Sequence, residues 1–160
     1  AGINGKMNEV QAAFGLLQLQ HIDKALDKRA VLDEYYREHL SDIAGLTMQP
    51  APADTEWNHA YFPIRIGTDF PISRDDLYNL LKQNDIMSRR YFYPLISSFP
   101  MYRGLSSAAN VNLPVANRIA DEILCLPIYP DLQQEEQQRI IDIIKSVVEC
   151  ESLVKLDKAV

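Results

Sequence analysis

The chain has 160 residues, enough for one domain with a core of its own, and its 47% hydrophobic and 24% charged residues are ordinary for a globular protein. Sixteen Lys and Arg against 22 Asp and Glu give a net charge of −6, which argues against the basic face that nucleic acid or an anionic membrane surface requires. No apolar run approaches the roughly 20 residues that span a bilayer, and no signal-peptide pattern opens the chain, so the expectation is a cytoplasmic protein that engages neither nucleic acid nor membrane.

The first predicted element is long. "MNEVQAAFGLLQLQHIDKALDKRAVLDEYYREHL" carries Val10, Phe14 and Leu17, then Ile22, Leu26 and Tyr36, at helical spacing. Asn8 reads as its N-cap, with Gln11 closing a capping box. The apolar stripe slips near His21, a place for a kink or break, and Gly45 reads as the stop. "PAPAD" is a loop, because two prolines forbid regular structure. "HAYFPIRI" reads as a strand, in which Pro63 suggests an edge position or a bulge. "ISRDDLYNLLKQND" is a helix with Ser73 as N-cap and Asp76 at the third helical position. "IMSRRYFY" reads as a second strand, and a Pro- and Ser-rich loop runs from Pro94 to Asn112.

"LPVANRIADEIL" is a helix with Pro114 in its first turn, where a missing N–H costs nothing. "CLPIYPD" is a short extended piece. The last helix starts from Asp131 as N-cap, with Gln134 three residues on, and buries Ile140, Ile141, Ile144 and Val148. This order describes an α+β fold: a small, mainly antiparallel sheet with helices packed on one side, preceded by a long N-terminal helix. Cys125, within "ILCLPI", reads as a buried small hydrophobe, and Cys150 lies near the end of the last helix. Their number and spacing suit neither a disulfide framework nor a metal site.

Catalytic constellations are sparse: HExxH, GxSxG, GxxxxGK[ST] and GxGxxG are all absent from the sequence. His21 and His39 read as helix-surface residues. His59, after Trp57 and Asn58 at a strand entry, reads either as structural or as a functional imidazole. In "GINGKM", Gly2 and Gly5 bracket Asn4 just before a helix, which suits either an anion site or an ordinary glycine-rich loop. In "SRRYFYPL", strand alternation puts Arg89, Tyr91 and Tyr93 on one face and Arg90 and Phe92 on the other. Arginine grips phosphate or carboxylate bidentately and tyrosine offers a flat face with a polar tip, so this stretch is either a ligand site or an exposed strand edge.

Four stretches then carry a resemblance. "GINGKMNEVQAAFGLLQL" resembles the segment G-x-N-x-[RK]-M-x-E-x-Q-A-A-x-G-L-x-Q-L of the DegT/DnrJ/EryC1/StrS family, pyridoxal-phosphate-dependent sugar aminotransferases. "RRYFYPL", "PMYRG" and "LPVANRIADEILCLPIYPDL" follow in the family's order and at about its spacing, so the resemblance runs from Gly2 to about Val148. It implies the small C-terminal domain of a fold-type I aminotransferase. Residues 1–42 would be a long helix linking it to a large domain, 43–150 the small domain and 151–160 a tail. It implies that the Schiff-base lysine belongs to the large domain, with Lys6 matching a basic position of the opening segment, so that no catalytic residue is expected in this chain.

The resemblance further implies transamination. The amino donor is usually glutamate, and the acceptor is a nucleotide-linked keto sugar, here of the dTDP-linked 6-deoxy type with the aminated carbon, C3 or C4, left open. Products of this kind feed O-antigen, capsule or antibiotic glycosides. The family works as homodimers. Asn4 is expected to reach the cofactor phosphate of the partner subunit, while Arg90, Tyr91, Tyr93 and, more weakly, His59 are expected at the nucleotide sugar. Two rivals stand beside this: a dehydratase of the same family in which histidine replaces the lysine, and a dimerisation or ligand-binding module without chemistry.

Overall fold

The computed structural model describes residues 5–50 and 53–157, with side chains described as far as residue 150. The long N-terminal helical region is two helices, α1 (Glu9–Leu19) and α2 (Ile22–Leu40), broken at Gln20 and His21, where the apolar stripe changes face. The capping box at the start of α1 is present: Gln11 N–H donates to the Asn8 side chain at 2.9 Å, and Asn8 N–H donates to Gln11 Oε1 at 3.1 Å. The two helices differ in burial. Helix α1 buries no residue, whereas α2 buries Leu32, Asp33, Tyr36 and Leu40.

Helix α2 ends at Leu40, with Ser41 as its C-cap, so Gly45 is not its stop. Gly45 instead makes the turn into β1 (Leu46–Met48) at φ 76°, a left-handed conformation that suits glycine, and a Cβ there would run into the backbone of Asp69 and Phe70. The sheet continues with β2 (Phe62–Ile66), β3 (Arg89–Arg90) and β4 (Ile123–Leu126), in the order β1-β2-β4-β3, with every pairing antiparallel. Strand β2 is thus interior, and Pro63 occupies neither an edge strand nor, with unbroken one-to-one pairing to β4, a bulge. Proline fits because the β1 ladder ends at Met48 opposite Ile64, one residue short of Pro63.

Register sorts the sheet into two faces. Phe62, Ile64 and Ile66 stand opposite Leu126, Leu124 and Leu46 respectively and form the core face. Helix α2, α3 (Arg74–Gln83) and α5 (Gln134–Asp157) cover it with Tyr36, Leu40, Leu77, Leu81, Ile140, Ile141 and Ile144. Each such side chain removed from water contributes about 1.5–3 kcal/mol against the entropy of ordering it. Val148 packs against this cluster. Cys125 opposes Pro63 on the second face, buried as expected.

Polar ties align the helices. Tyr36 donates its hydroxyl to the Pro127 carbonyl at 3.1 Å, and the buried Gln137 donates to the Leu32 carbonyl at 2.7 Å, joining α5 to α2. Ser73 caps α3, accepting from Asp76 N–H at 3.1 Å. Helix α4 (Pro114–Glu122) opens on Pro114 and passes directly into β4, so Ile123 and Leu124 belong to the strand rather than to the preceding helix. Helix α5 begins at Gln134. Asp131 lies too early to cap it and pairs instead with Lys28 of α2 at 3.1 Å. Among the described residues no helix is long and apolar enough to cross a membrane, and no cluster could hold a metal ion.

Candidate functional site

Strand β3 is short because the chain turns at Tyr91 and Phe92. Its two residues are placed by β4: Arg89 opposes Cys125 on the second face, and Arg90 opposes Leu124 on the core face, where α3 lies. The strict alternation expected through Tyr93 therefore fails. Once the strand stops, Tyr93 folds back beside Arg90, and the guanidinium carbon lies 5.3 Å from the Tyr93 ring centroid.

A charged cluster surrounds this contact. Arg90 Nε lies 2.9 Å from Asp75 Oδ1, and Arg74 Nε lies 2.8 Å from the same oxygen. The Arg74 side chain is 2% exposed, and its guanidinium also donates to the Ile123 carbonyl at 2.9 Å and lies 5.3 Å from the Tyr93 centroid. Arg90 sits 4.4 Å from the Tyr78 ring. Burial of a guanidinium demands such partners, since an unpaired one would carry a large desolvation cost. Two cations against one carboxylate leave an excess positive charge at this point.

Beside the cluster lies an open cleft of about 520 Å³, walled by Tyr93, Ser97, Arg103, Asn110, Asn117 and Asp121 among others. The Pro- and Ser-rich loop forms one wall through short 3₁₀ turns at Ile96–Ser98, Ser106–Ala108 and Asn110–Asn112. Asn117 of α4 donates to the Asn110 carbonyl of that loop at 3.4 Å and to the Leu113 carbonyl at the start of its own helix at 2.8 Å. Arg103 makes no ion pair among the described residues. An aromatic face, an unpaired guanidinium, and hydroxyl and amide groups together suit a ring that carries an anionic group.

The other candidates are distributed differently. Tyr91 stacks on Phe92, with centroids 4.4 Å apart, and meets Tyr61 at 5.1 Å, making a half-exposed aromatic patch at the head of β2. His59 turns toward α2: its Nδ1 lies 3.4 Å from Asp33 Oδ2, its ring meets the edge of Trp57, and it lines a separate cleft with Asp23, Asp27 and Glu56. Asn4 lies outside the described residues. The structure thus joins Arg90 with Tyr93, sets Tyr91 beside Tyr61, and sends His59 elsewhere. Sequence reasoning missed Arg74, Asp75, Tyr78 and Arg103. Arg74 and Asp75 read as ordinary first-turn helix residues, and only the packing of α3 beside β4 and β3 brings them to Arg90.

Cys125 shows the electrostatics of the second face. Burial pushes its thiol up to about 12, with Arg89 opposing the shift. A thiol so protonated is a poor nucleophile, and Cys125 belongs to the core rather than to any reaction.

The DegT/DnrJ/EryC1/StrS aminotransferase family matches residues 1–145. A protein of Escherichia coli named dTDP-4-amino-4,6-dideoxy-D-glucose transaminase is 56% identical over 134 residues, 84% of this chain and 36% of that protein. A protein of the same name from Shigella dysenteriae is 42% identical over 146 residues, 91% of this chain and 39% of that protein. The chain therefore spans well under half the length of these curated relatives. A solved structure of DesI in the presence of its TDP-sugar product matches with TM-score 0.83 at 28% identity, covering 98% of this chain and 40% of that one. A DegT DnrJ EryC1 StrS aminotransferase from Brucella abortus matches at 0.77 and 28% identity, covering 91% and 37%. With the matched segment running across nearly its whole length, this chain belongs to the DegT/DnrJ/EryC1/StrS aminotransferase family.

Proposed function

We propose that this chain is the carboxy-terminal part of a cytoplasmic, homodimeric sugar aminotransferase that depends on pyridoxal phosphate. Its reaction moves an amino group from glutamate to C4 of a dTDP-linked 4-keto-6-deoxyhexose, a step toward sugars of O-antigen or similar polysaccharides. The observation that carries this reading is the 56% identity, over 134 residues, to the Escherichia coli transaminase of that sugar class.

Within that reading the cleft takes the nucleotide-linked sugar. Tyr93 offers a face to a ring, Arg103 pairs with a phosphate, and the excess charge of Arg74 and Arg90 draws the diphosphate inward. Tyr91 extends the aromatic wall toward Tyr61. His59 serves to anchor its own segment to α2.

Pyridoxal phosphate, when bound, supplies the electron sink that lets nitrogen pass between donor and ketone. The donor chemistry of the chain's opening fits the cofactor's phosphate. Lys6 is exposed, nothing approaches within 4 Å of the position a Cβ would take at Gly5, and both lead into the N-terminus of α1. Asn4 is assigned to that phosphate in the partner subunit. The exposed apolar face of α1, with Val10, Phe14 and Leu17, suits burial against the rest of the longer protein or its partner. By itself the chain carries no residue assigned to bond the cofactor, and it is expected to be inactive.

The test is nitrogen transfer by the longer protein that carries this chain, given pyridoxal phosphate, ¹⁵N-glutamate and a dTDP-linked 4-keto-6-deoxyglucose. Label appearing at C4 of the sugar supports the reading. Label left in glutamate contradicts it, and loss of a sugar hydroxyl without gain of nitrogen moves the protein to the dehydratase class.

A further inference from the structure

One carboxylate oxygen serves two cations from different elements, and both cations bear on one tyrosine. Asp75 Oδ1 holds Arg74 Nε at 2.8 Å and Arg90 Nε at 2.9 Å, and each guanidinium carbon lies 5.3 Å from the Tyr93 ring centroid. Tyr93 sits after the turn that ends β3 and has no strand partner to orient it. It is 51% exposed and forms a wall of the 520 Å³ cleft. The Tyr93 ring thus has both guanidiniums beside it, and both guanidiniums share the Asp75 carboxylate. Arg74 has a second anchor in the Ile123 carbonyl and Arg90 a second contact in Tyr78, and among the described residues Asp75 is the carboxylate paired with both.

We propose that Asp75 is a positioning residue for ligand binding: by holding Arg74 and Arg90 against Tyr93, it fixes the face that Tyr93 presents to the ring of the nucleotide-linked sugar. This rests on the reading of the cleft as the nucleotide-sugar site. Asp75 touches no ligand itself. Without its charge the two guanidiniums repel one another at close range, Arg90 moves out toward solvent, and the Tyr93 ring loses its support.

The chain is labelled with 3-fluorotyrosine, and the Tyr93 resonance is identified by its loss in Tyr93→Phe. Asp75→Asn should move the Tyr93 signal and leave that of the core residue Tyr36 in place, and Asp75→Glu should restore most of the native position. Arg90→Gln, which leaves the buried Arg74 with its carboxylate, should move Tyr93 as well. The two changes together should do no more than either alone, as expected of one linked unit. A Tyr93 signal that stays put in both Asp75→Asn and Arg90→Gln overturns the proposal, as does a shift that Asp75→Glu fails to restore. Thymidine diphosphate is then added as the probe. It should shift Tyr93 in the native chain, and its dissociation constant should rise by about tenfold in Asp75→Asn, a difference of about 1.4 kcal/mol. If the diphosphate leaves Tyr93 unmoved while Tyr93 still responds to Asp75, the nucleotide-sugar reading of the cleft fails and the positioning of Tyr93 by Asp75 stands. If it binds native chain and Asp75→Asn alike, the role of Asp75 in ligand binding is refuted.

Discussion

Asp33 Oδ2 of α2 lies 3.4 Å from Nδ1 of His59, across the entry to β2, while the other oxygen of the same carboxylate holds Arg37 one helical turn on. The Asp33 side chain is 6% exposed, and Arg37 in turn donates to the Gln49 carbonyl at 2.7 Å just past β1. One buried carboxylate therefore ties both β1 and the segment before β2 to α2. His59 reaches it from φ 47°, a conformation costly for a non-glycine residue and held by its surroundings. Asp33→Ala would leave His59 Nδ1 without its carboxylate and Arg37 reliant on the Gln49 carbonyl, and should cost about 1–3 kcal/mol in denaturant unfolding. His59→Ala should cost less and should leave thymidine diphosphate binding unchanged, because its ring lines a different cleft from Tyr93. Weakened nucleotide binding in His59→Ala would return His59 to the substrate site.

The buried titrating groups set an alkaline limit. Burial pushes the Cys125 thiol from 9.0 up to about 12 and raises the Tyr36 phenol well above its ordinary value. The unfolded chain releases these protons first, so at high pH it binds fewer than the folded chain, and stability falls as pH rises. The contribution is complete below about pH 9, where the unfolded thiol begins to titrate, and is lost through the folded values above. Denaturant midpoints measured from pH 8 to 11 should fall, and the early part of that fall should shrink in Cys125→Ala. In the native chain at pH 8, iodoacetamide should alkylate exposed Cys150 and reach Cys125 only on unfolding. Equal reactivity of both thiols would contradict the burial of Cys125.

The exposed apolar face of α1 is the surface expected to drive association. Phe14 is 63% exposed and Leu17 55%, yet both belong to a helix capped and formed as the sequence indicates. A contiguous apolar face of this kind drives self-association when its usual cover is missing. Sedimentation of the chain should show concentration-dependent oligomers, and Phe14→Ser with Leu17→Ser should weaken them while changing folding stability by no more than about 0.5 kcal/mol. A monomer at every concentration would contradict this account of α1.

Local chemistry was the most legible part of the sequence. The caps at Asn8 with Gln11 and Ser73 with Asp76, the proline at the start of α4 and the Ile140, Ile141 and Ile144 face of α5 depend on residues within a turn or two, and all stand as read. The misreadings depend on partners distant in sequence. Pro63 looks like an edge residue until β4 pairs with β2, and Asp131 looks like a helix cap until Lys28 reaches it. Tyr91 and Tyr93 look like one face of a strand until β3 stops at Arg90. Arg90 is a candidate from its own stretch of sequence, but its grouping with Asp75 and Arg74 was not legible, because that grouping exists only once α3 packs beside β4 and β3.

If, as proposed, this chain belongs to a pyridoxal-phosphate-dependent aminotransferase, the lysine that bonds the cofactor lies outside it. Borohydride reduction after addition of pyridoxal phosphate, followed by peptide mass spectrometry, tests it directly. A stoichiometric pyridoxyl group should appear on a lysine of the longer protein outside the segment given by this chain, and none on Lys6, in that protein or in this chain alone. A stoichiometric pyridoxyl adduct on Lys6 would contradict it.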